Sequence, residues 1–327
     1  MRLVGWVEYR GVILGMEELA ALFARDPRNL CRCGGEFNLA IGKCRARDCF
    51  GIIPGDIPKG TLLCEGNNPA AIDPQYPPGD LETAIRTAVD LRKEGSIVAL
   101  SGGVDSSLIA ALAGRDCVVV GTEGSHDIAR AQKVAGVLGI PCTTVTVSAE
   151  HVREALTQVV RTVPDLTPLT ASVATTLYFI AAYAHDVGFT RVLYGQGADE
   201  LFGGYARYLR SRDLGKELEK DFPTLLLQIA RDQTVAGMFG TSFSAPYLDL
   251  RVVSAARTIP PGEKIADGVR KRPLRMVAER YLPQQDARYE KKAMQYGSGI
   301  WRTIRTLARE NGYKTSLQGY IDQLGSG

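Results

Sequence analysis

The chain has 327 residues, a formal net charge of +3, 45% hydrophobic residues, 23% charged residues and 35 glycines, enough for two or three domains with an ordinary globular core. No run of eighteen apolar residues and no basic-then-apolar opening occurs, so neither a membrane span nor a secretory signal is readable and a cytoplasmic protein is expected. So small an excess of positive charge does not describe a surface built to neutralise nucleic-acid phosphates, and RNA is not favoured as a partner.

Residues 1–65 read as a small module: a β-like opening from Leu3 to Ile13, an amphipathic helix around Glu17 to Ala24, then a cluster of cysteines. Residues 66–80 belong to EGNNPAAIDPQYPPGD, whose prolines and turn formers sustain neither helix nor sheet, and are expected to be a linker. From residue 81 to 327 a second domain is expected. Its first part alternates short β-branched runs with amphipathic helices: SIVALS then SSLIAALAG, CVVVGT then DIARAQKVAGVLG, CTTVTVS then EHVREALTQVV. A helix from about Ser172 to Val187 and the strand RVLYG follow. This alternation predicts βαβ units and an α/β fold with a parallel sheet to about residue 205, and a mainly helical C-terminal part after it.

Seven cysteines is an odd number, and Cys31, Cys33, Cys44 and Cys49 crowd together. In a reducing compartment that clustering suits a metal better than a disulfide framework. Four thiolates around one ion suit structural Zn²⁺ in a zinc-ribbon-like module, with an Fe–S cluster or free thiols as the alternatives. Cys117 and Cys142 each open a predicted core strand and read as small buried hydrophobes. His126, His151 and His185 are scattered without metal-ligand spacing.

The most informative stretch is SGGVDSS, Ser101 to Ser107, directly after an apolar strand and directly before a helix. Gly102 and Gly103 permit a tight turn and bring backbone N–H groups against an anion. Ser101, Ser106 and Ser107 add hydroxyls, and the helix start adds free N–H groups and the positive end of its dipole. Asp105 inside such a cradle calls for a cation between it and phosphate, and reads as a Mg²⁺ ligand. The competing reading is a plain Gly-Gly turn with Ser106 as helix cap. No Walker lysine follows the glycines. SGGVDSS in this strand–turn–helix context resembles the signature of the PP-loop ATP pyrophosphatases, the adenine nucleotide alpha hydrolase-like fold.

A second loop, Gly195-Gln196-Gly197-Ala198-Asp199-Glu200-Leu201-Phe202-Gly203-Gly204-Tyr205, follows RVLYG at the same expected sheet edge. Asp199 is a candidate second carboxylate for the metal and Glu200 a pocket residue; the alternative is a turn in which Asp199 caps the next helix. GQGADELFGGY, APYLDL at Ala245 to Leu250, KRPLR at Lys271 to Arg275 and KKAMQYGSG from Lys291 follow SGGVDSS in order. With these motifs the chain from Ser96 to about Arg305 resembles the synthetase domain of the asparagine synthetase family, which includes the β-lactam synthetases. The resemblance implies ATP as substrate with Leu100, Val120 and Gly195 lining its adenosine pocket, Asp105 and Asp199 holding Mg²⁺, and Lys291, supported by Lys271, stabilising charge on the transferred phosphorus. That last role agrees with the general need for cations around a reacting phosphate.

Three departures bear on the substrate. Arg2 stands where glutamine-dependent relatives place a cysteine nucleophile, and about 100 residues precede the phosphate loop, about half of what a glutaminase domain requires. Nitrogen is therefore expected from ammonia, an amine or a separate glutaminase partner. Gln196 stands where the family typically has Glu or Tyr, and an amide is no general base, which leaves Glu200 as a base candidate. Ser172 falls where an arginine would bind aspartate. The expected function is an ATP-dependent, AMP- and PPi-forming ligase that adenylates a small-molecule carboxylate other than aspartate and amidates it with ammonia or an amine. The alternatives are a PP-loop tRNA-modifying sulfurtransferase with a zinc module, and a catalytically silent adenylate-binding protein.

Overall fold

A computed structural model describes residues 1–290 and 294–326. In chain order its strands are β1 (Arg2–Tyr9), β2 (Val12–Ile13), β3 (Cys33–Ile41), β4 (Cys44–Arg47), β5 (Thr61–Cys64), β6 (Ala70–Ala71), β7 (Ser96–Ala99), β8 (Cys117–Gly121), β9 (Cys142–Thr146), β10 (Arg191–Leu193) and β11 (Ser242–Ser244). Helices α1 (Met16–Arg25), α2 (Leu81–Asp90), α3 (Val104–Ala113), α4 (His126–Leu138), α5 (Ala149–Thr162), α6 (Pro168–Asp186), α7 (Ala198–Phe202), α8 (Leu214–Gly237) and α9 (Leu250–Thr258) are followed by shorter ones and by Ile300–Glu310 and Leu317–Ser326. Among the described residues no helix is long and apolar enough to cross a membrane. The chain divides into two compact units, Met1–Arg92 with Gln196–Gln233 and Ser244–Arg272, and Lys93–Gly195 with Thr234–Phe243 and Pro273–Gly327.

The first unit contains a six-stranded antiparallel sheet in the order β2-β1-β3-β4-β5-β6. The long β1–β3 pair runs from Arg2 opposite Ala40 to Tyr9 opposite Cys33. Gly5 is required there: at φ +88° a Cβ would lie 1.9 Å from the Glu36 carbonyl oxygen. Val7, Leu19, Leu30, Phe37, Leu39 and Leu62 bury one face of the sheet with α1, which matches the apolar stripe of that helix. Residues 66–80 hold β6, which pairs with β5, and Tyr76, whose hydroxyl donates to Glu8.

The four-cysteine zinc expectation is corrected in this unit. Cys44 and Cys64 face each other on neighbouring strands and are joined in a disulfide, which removes Cys44 from any thiolate set. Cys33 donates to the Asn29 carbonyl and Cys49 to that of Ile72. Burial raises the Cys33 and Cys49 thiols to about 12 and raises Cys31 as well. Among the described residues no group of three or more His, Cys, Asp or Glu is placed to hold a metal ion. Cys31, Cys33, Cys44 and Cys49 therefore do not fit a structural zinc; they pack with the apolar core.

Buried charges hold the same unit together. The Arg92 guanidinium pairs with Glu36 of β3 at 2.8 Å and with Asp249 at 2.9 Å, lies over the Trp6 ring and donates to the Ala88 carbonyl. Asp249, the acid of APYLDL, also accepts from the backbone of Arg251 and so caps α9. Arg251 in turn pairs with Glu8 and stacks on Tyr76. The network satisfies charges that apolar burial alone would make costly.

The second unit is built on a five-stranded sheet in the order β11-β10-β7-β8-β9, with β10, β7, β8 and β9 parallel. β7 and β8 are buried along their whole length, as strands covered by helices on both faces must be. The expected α/β fold is present, and so is the mainly helical C-terminal part; Leu317–Ser326 packs on α5. In this unit one strand escaped the sequence reading, as β3 to β6 did in the first: β11 is only Ser-Phe-Ser, too short to show a period. The order reverses between β7 and β10, and in open parallel sheets ligands bind outside the carboxyl ends of the strands at such a reversal.

Candidate active site

SGGVDSS leaves β7 at that reversal. Gly102 turns at φ +72°, and a Cβ there would lie 2.5 Å from Cγ of Arg130, so only glycine permits the turn. Gly103 is the N-cap of α3 and provides no side-chain cap, leaving the first-turn N–H groups directed out of the helix. Ser106 is committed to the loop itself: its hydroxyl accepts from Ser101 N at 3.1 Å, shares a 2.9 Å hydrogen bond with Ser101 Oγ and donates to the Gly103 carbonyl. Ser106 thus shapes the cradle and is not an extra donor to an anion. The Ser107 hydroxyl is different, being buried and without a hydrogen-bond partner among the described residues. An orphaned buried hydroxyl and a glycine cradle fit a bound anion.

The remaining expected nucleotide residues of this unit sit around the loop. Leu100, directly after β7, and Val120, on the neighbouring strand β8, are buried, with Leu100 N donating to the Val118 carbonyl. Gly195, after β10, approaches Asp105 so closely that a Cβ would lie 2.9 Å from Asp105 Cβ. Asp105 is thereby fixed in the first turn of α3, a placement that fits a carboxylate serving a cation beside phosphate. Ser172, on α6, is fully buried and its hydroxyl has no partner among the described residues.

In the first unit the chain from Gln196 to Tyr205 folds around α7. Asp199 Oδ1 forms a 2.7 Å ion pair with Lys271 Nζ, and Lys271 itself is buried with φ +55°, an uncommon backbone state that signals local constraint. Gly204 makes the pair possible. A Cβ at Gly204 would fall 1.7 Å from Asp199 Oδ1 and 2.1 Å from Lys271 Cε. Gly204→Ala is therefore expected to displace the pair and to lower turnover at least about 10-fold with the fold retained; a rate within about twofold of wild type in a pyrophosphate-release assay would contradict this role.

Glu200 lies beside them, 3% exposed. It accepts from the Tyr205 hydroxyl at 2.5 Å and from Gln228 Nε2 at the long distance of 3.5 Å. Gln228 Oε1 in turn accepts from Gln196 Nε2 at 2.8 Å. Burial pushes the Glu200 carboxyl up to about 7; the Tyr205 hydroxyl opposes the rise by bonding the charged form, and Asp199 adds to it. A carboxyl poised there can take up a proton near neutrality, which Gln196 cannot. Because the folded value exceeds the ordinary 4.5, the group's contribution to stability is complete below the unfolded value and is lost as pH rises toward about 7. Glu200→Gln is expected to remove that decline. Urea unfolding of both proteins at about pH 5 and about pH 8 checks it, and an equal wild-type-to-variant difference at the two pH values would refute it.

Sequence reasoning missed Gln228, which lies on α8 at no motif spacing from Gln196. Lys291 lies outside the described residues, so the lysine expected to stabilise phosphorus charge has no described position. The other candidates fall into two sets. Leu100, Ser101, Gly102, Gly103, Asp105, Ser106, Ser107, Val120 and Gly195 belong to one unit, and Gln196, Asp199, Glu200 and Lys271 to the other.

A parallel sheet whose order reverses at a glycine–serine turn running into a helix is the α/β fold expected for a PP-loop protein. The asparagine synthase family model matches residues 80–240 and 224–323, and the chain belongs to that family. It is 33% identical over 291 residues to a provisionally named asparagine synthetase (glutamine-hydrolyzing) 1 of Methanocaldococcus jannaschii, covering 75% of this chain and 54% of the relative. It is 28% identical over 241 residues to asparagine synthetase B (glutamine-hydrolyzing) of Escherichia coli, covering 65% of this chain and 43% of that one. The chain thus spans about half the length of these curated relatives. Its likeness to the structure of the U34-tRNA thiolase NcsA from Methanococcus maripaludis is remote, with a TM-score of 0.36 and 14% identity over 75% of this chain and 78% of that one.

Proposed function

We propose that the protein is a ligase that consumes ATP, releases pyrophosphate and joins a carboxylate to ammonia or an amine through an acyl-adenylate. The observation that carries this reading is the SGGVDSS cradle with an orphaned Ser107 hydroxyl and no Walker lysine, in a chain of the asparagine synthase family. In this reading a carboxylate oxygen of the substrate attacks the α-phosphorus, and the bond to the bridging oxygen of pyrophosphate breaks. A neutral nitrogen then attacks the acyl carbon, AMP leaves, and the surplus proton passes to a base.

The first-turn N–H groups of α3 and the Ser107 hydroxyl bind the phosphate oxygens, and Leu100, Val120 and Gly195 flank the adenosine. Asp105 would hold Mg²⁺, which would neutralise phosphate charge when bound. Lys271 and Lys291 supply positive charge to the leaving pyrophosphate. Glu200 receives the proton from the incoming nitrogen, while Gln196 orients that nitrogen by hydrogen bonding. With an amide at Gln196 and Ser172 in place of an arginine, the carboxylate is one other than aspartate.

A pyrophosphate-release screen of carboxylic acids, each with ammonium or a small amine, tests the proposal. A carboxylate-dependent burst of pyrophosphate supports it. Efficient asparagine formation from aspartate, at an ordinary enzyme rate of about 1 s⁻¹ or more, would overturn the substrate assignment.

A further inference from the structure

Arg130 serves neither the strands nor the expected ligand set, yet it is 7% exposed in the second unit. Its Nε donates to the carbonyl of Gly102 at 3.2 Å. Its NH1 forms a 2.8 Å ion pair with Asp286, which is 1% exposed. The face of the guanidinium lies 3.9 Å from the centroid of the Tyr289 ring, whose hydroxyl makes a 2.7 Å hydrogen bond with His126 Nε2. One side chain on α4 therefore holds the phosphate loop by its backbone and residues 286–289 by charge and by stacking.

The chain also returns to the start of α4 further along. Thr122 N donates to the Ser298 carbonyl at 2.9 Å, and a Cβ at Gly297 would lie 1.9 Å from Asp127 Oδ1. The part of the chain that returns is Gly297 and Ser298. Its docking gives the Arg130–Asp286 pair a meaning beyond local packing, because residues 286–289 and 297–298, both far along the chain from α4, meet the helix that braces the phosphate loop.

We infer that Arg130 is a positioning residue of the phosphate site, setting the Gly102 carbonyl, and with it the direction of the loop's N–H groups, through its grip on Asp286 and Tyr289. The geometry uses a planar guanidinium in three ways: one N–H on a carbonyl, its charge beside a carboxylate and a flat face on a ring. Lysine carries the same charge without that plane. This inference rests on the proposed reading of Ser101–Ser107 as the anchor of ATP.

The test is titration calorimetry of wild type, Arg130→Lys, Asp286→Asn and the double variant with ATP and with AMP, beside ATP-dependent pyrophosphate release. Either single substitution is expected to lower ATP affinity and kcat/KM for ATP by about 10- to 100-fold, with AMP affinity nearly unchanged because the loop recognises the outer phosphates. The double variant is expected to be no worse than the weaker single, as for two groups acting through one interaction. Single variants that bind ATP within about twofold of wild type, losses that multiply in the double, or equal losses for ATP and AMP overturn the inference. Should Arg130→Lys fail to fold, Asp286→Asn and Tyr289→Leu decide by the same ATP-to-AMP comparison. A wild type that binds no ATP defeats the reading of the loop itself, and the inference falls with it; ATP binding by wild type with unaltered variants defeats the inference alone.

Discussion

Replacing Arg92 by leucine is expected to lower the unfolding free energy of the first unit by about 3–5 kcal/mol, the scale for removing one partner of a buried ion pair. Leucine keeps most of the volume but leaves Glu36 and Asp249 buried without the guanidinium that joins them. Glu36 would retain the Trp6 indole, Ser244 and the Ala245 backbone as donors, and Asp249 would retain Arg251, so the loss stays below that of an isolated buried charge. Trp6, stacked on Arg92, reports the transition by fluorescence in a urea titration. An unfolding free energy within about 0.5 kcal/mol of wild type would show that the network adds nothing.

Asp105→Asn is expected to cut pyrophosphate release by at least about 10²-fold, the scale for removing one group that stabilises reacting charge. The substitution preserves shape, which matters because Asp105 Cβ lies against Gly195 with no room to spare. Far-ultraviolet circular dichroism should therefore match wild type. The loss then traces to the carboxylate's charge. Retention of more than about a tenth of the wild-type rate would exclude Asp105 as a metal ligand for the reaction.

What the sequence disclosed, and what it hid, follows from how far each signal reaches along the chain. Runs such as CVVVG and the apolar stripe Val152, Ala155, Leu156 and Val159 of α5 are local, and the parallel sheet was legible from them. SGGVDSS and GQGADELFGGY were legible because glycine and serine at fixed offsets have few other uses. The zinc reading failed because cysteine spacing says which thiols are near in sequence, whereas Cys44 is joined to Cys64, its neighbour across the β4–β5 ladder. Buried charges were equally hidden: Glu8, Glu36 and Arg92 resemble surface residues until Asp249 and Arg251 are seen beside them. Gln196 and Gln228 meet across 32 positions, and Arg130 and Asp286 across far more. No periodicity encodes such partners, since a period assigns a face and not the residue that comes to meet it.

The central claim is that ATP is cleaved between its α- and β-phosphorus atoms. The most direct measurement is phosphorus NMR of the nucleotide products after turnover with an accepted carboxylate and nitrogen source. AMP and pyrophosphate in equal amounts, each dependent on the carboxylate, is the predicted result. ADP and inorganic phosphate would contradict the account.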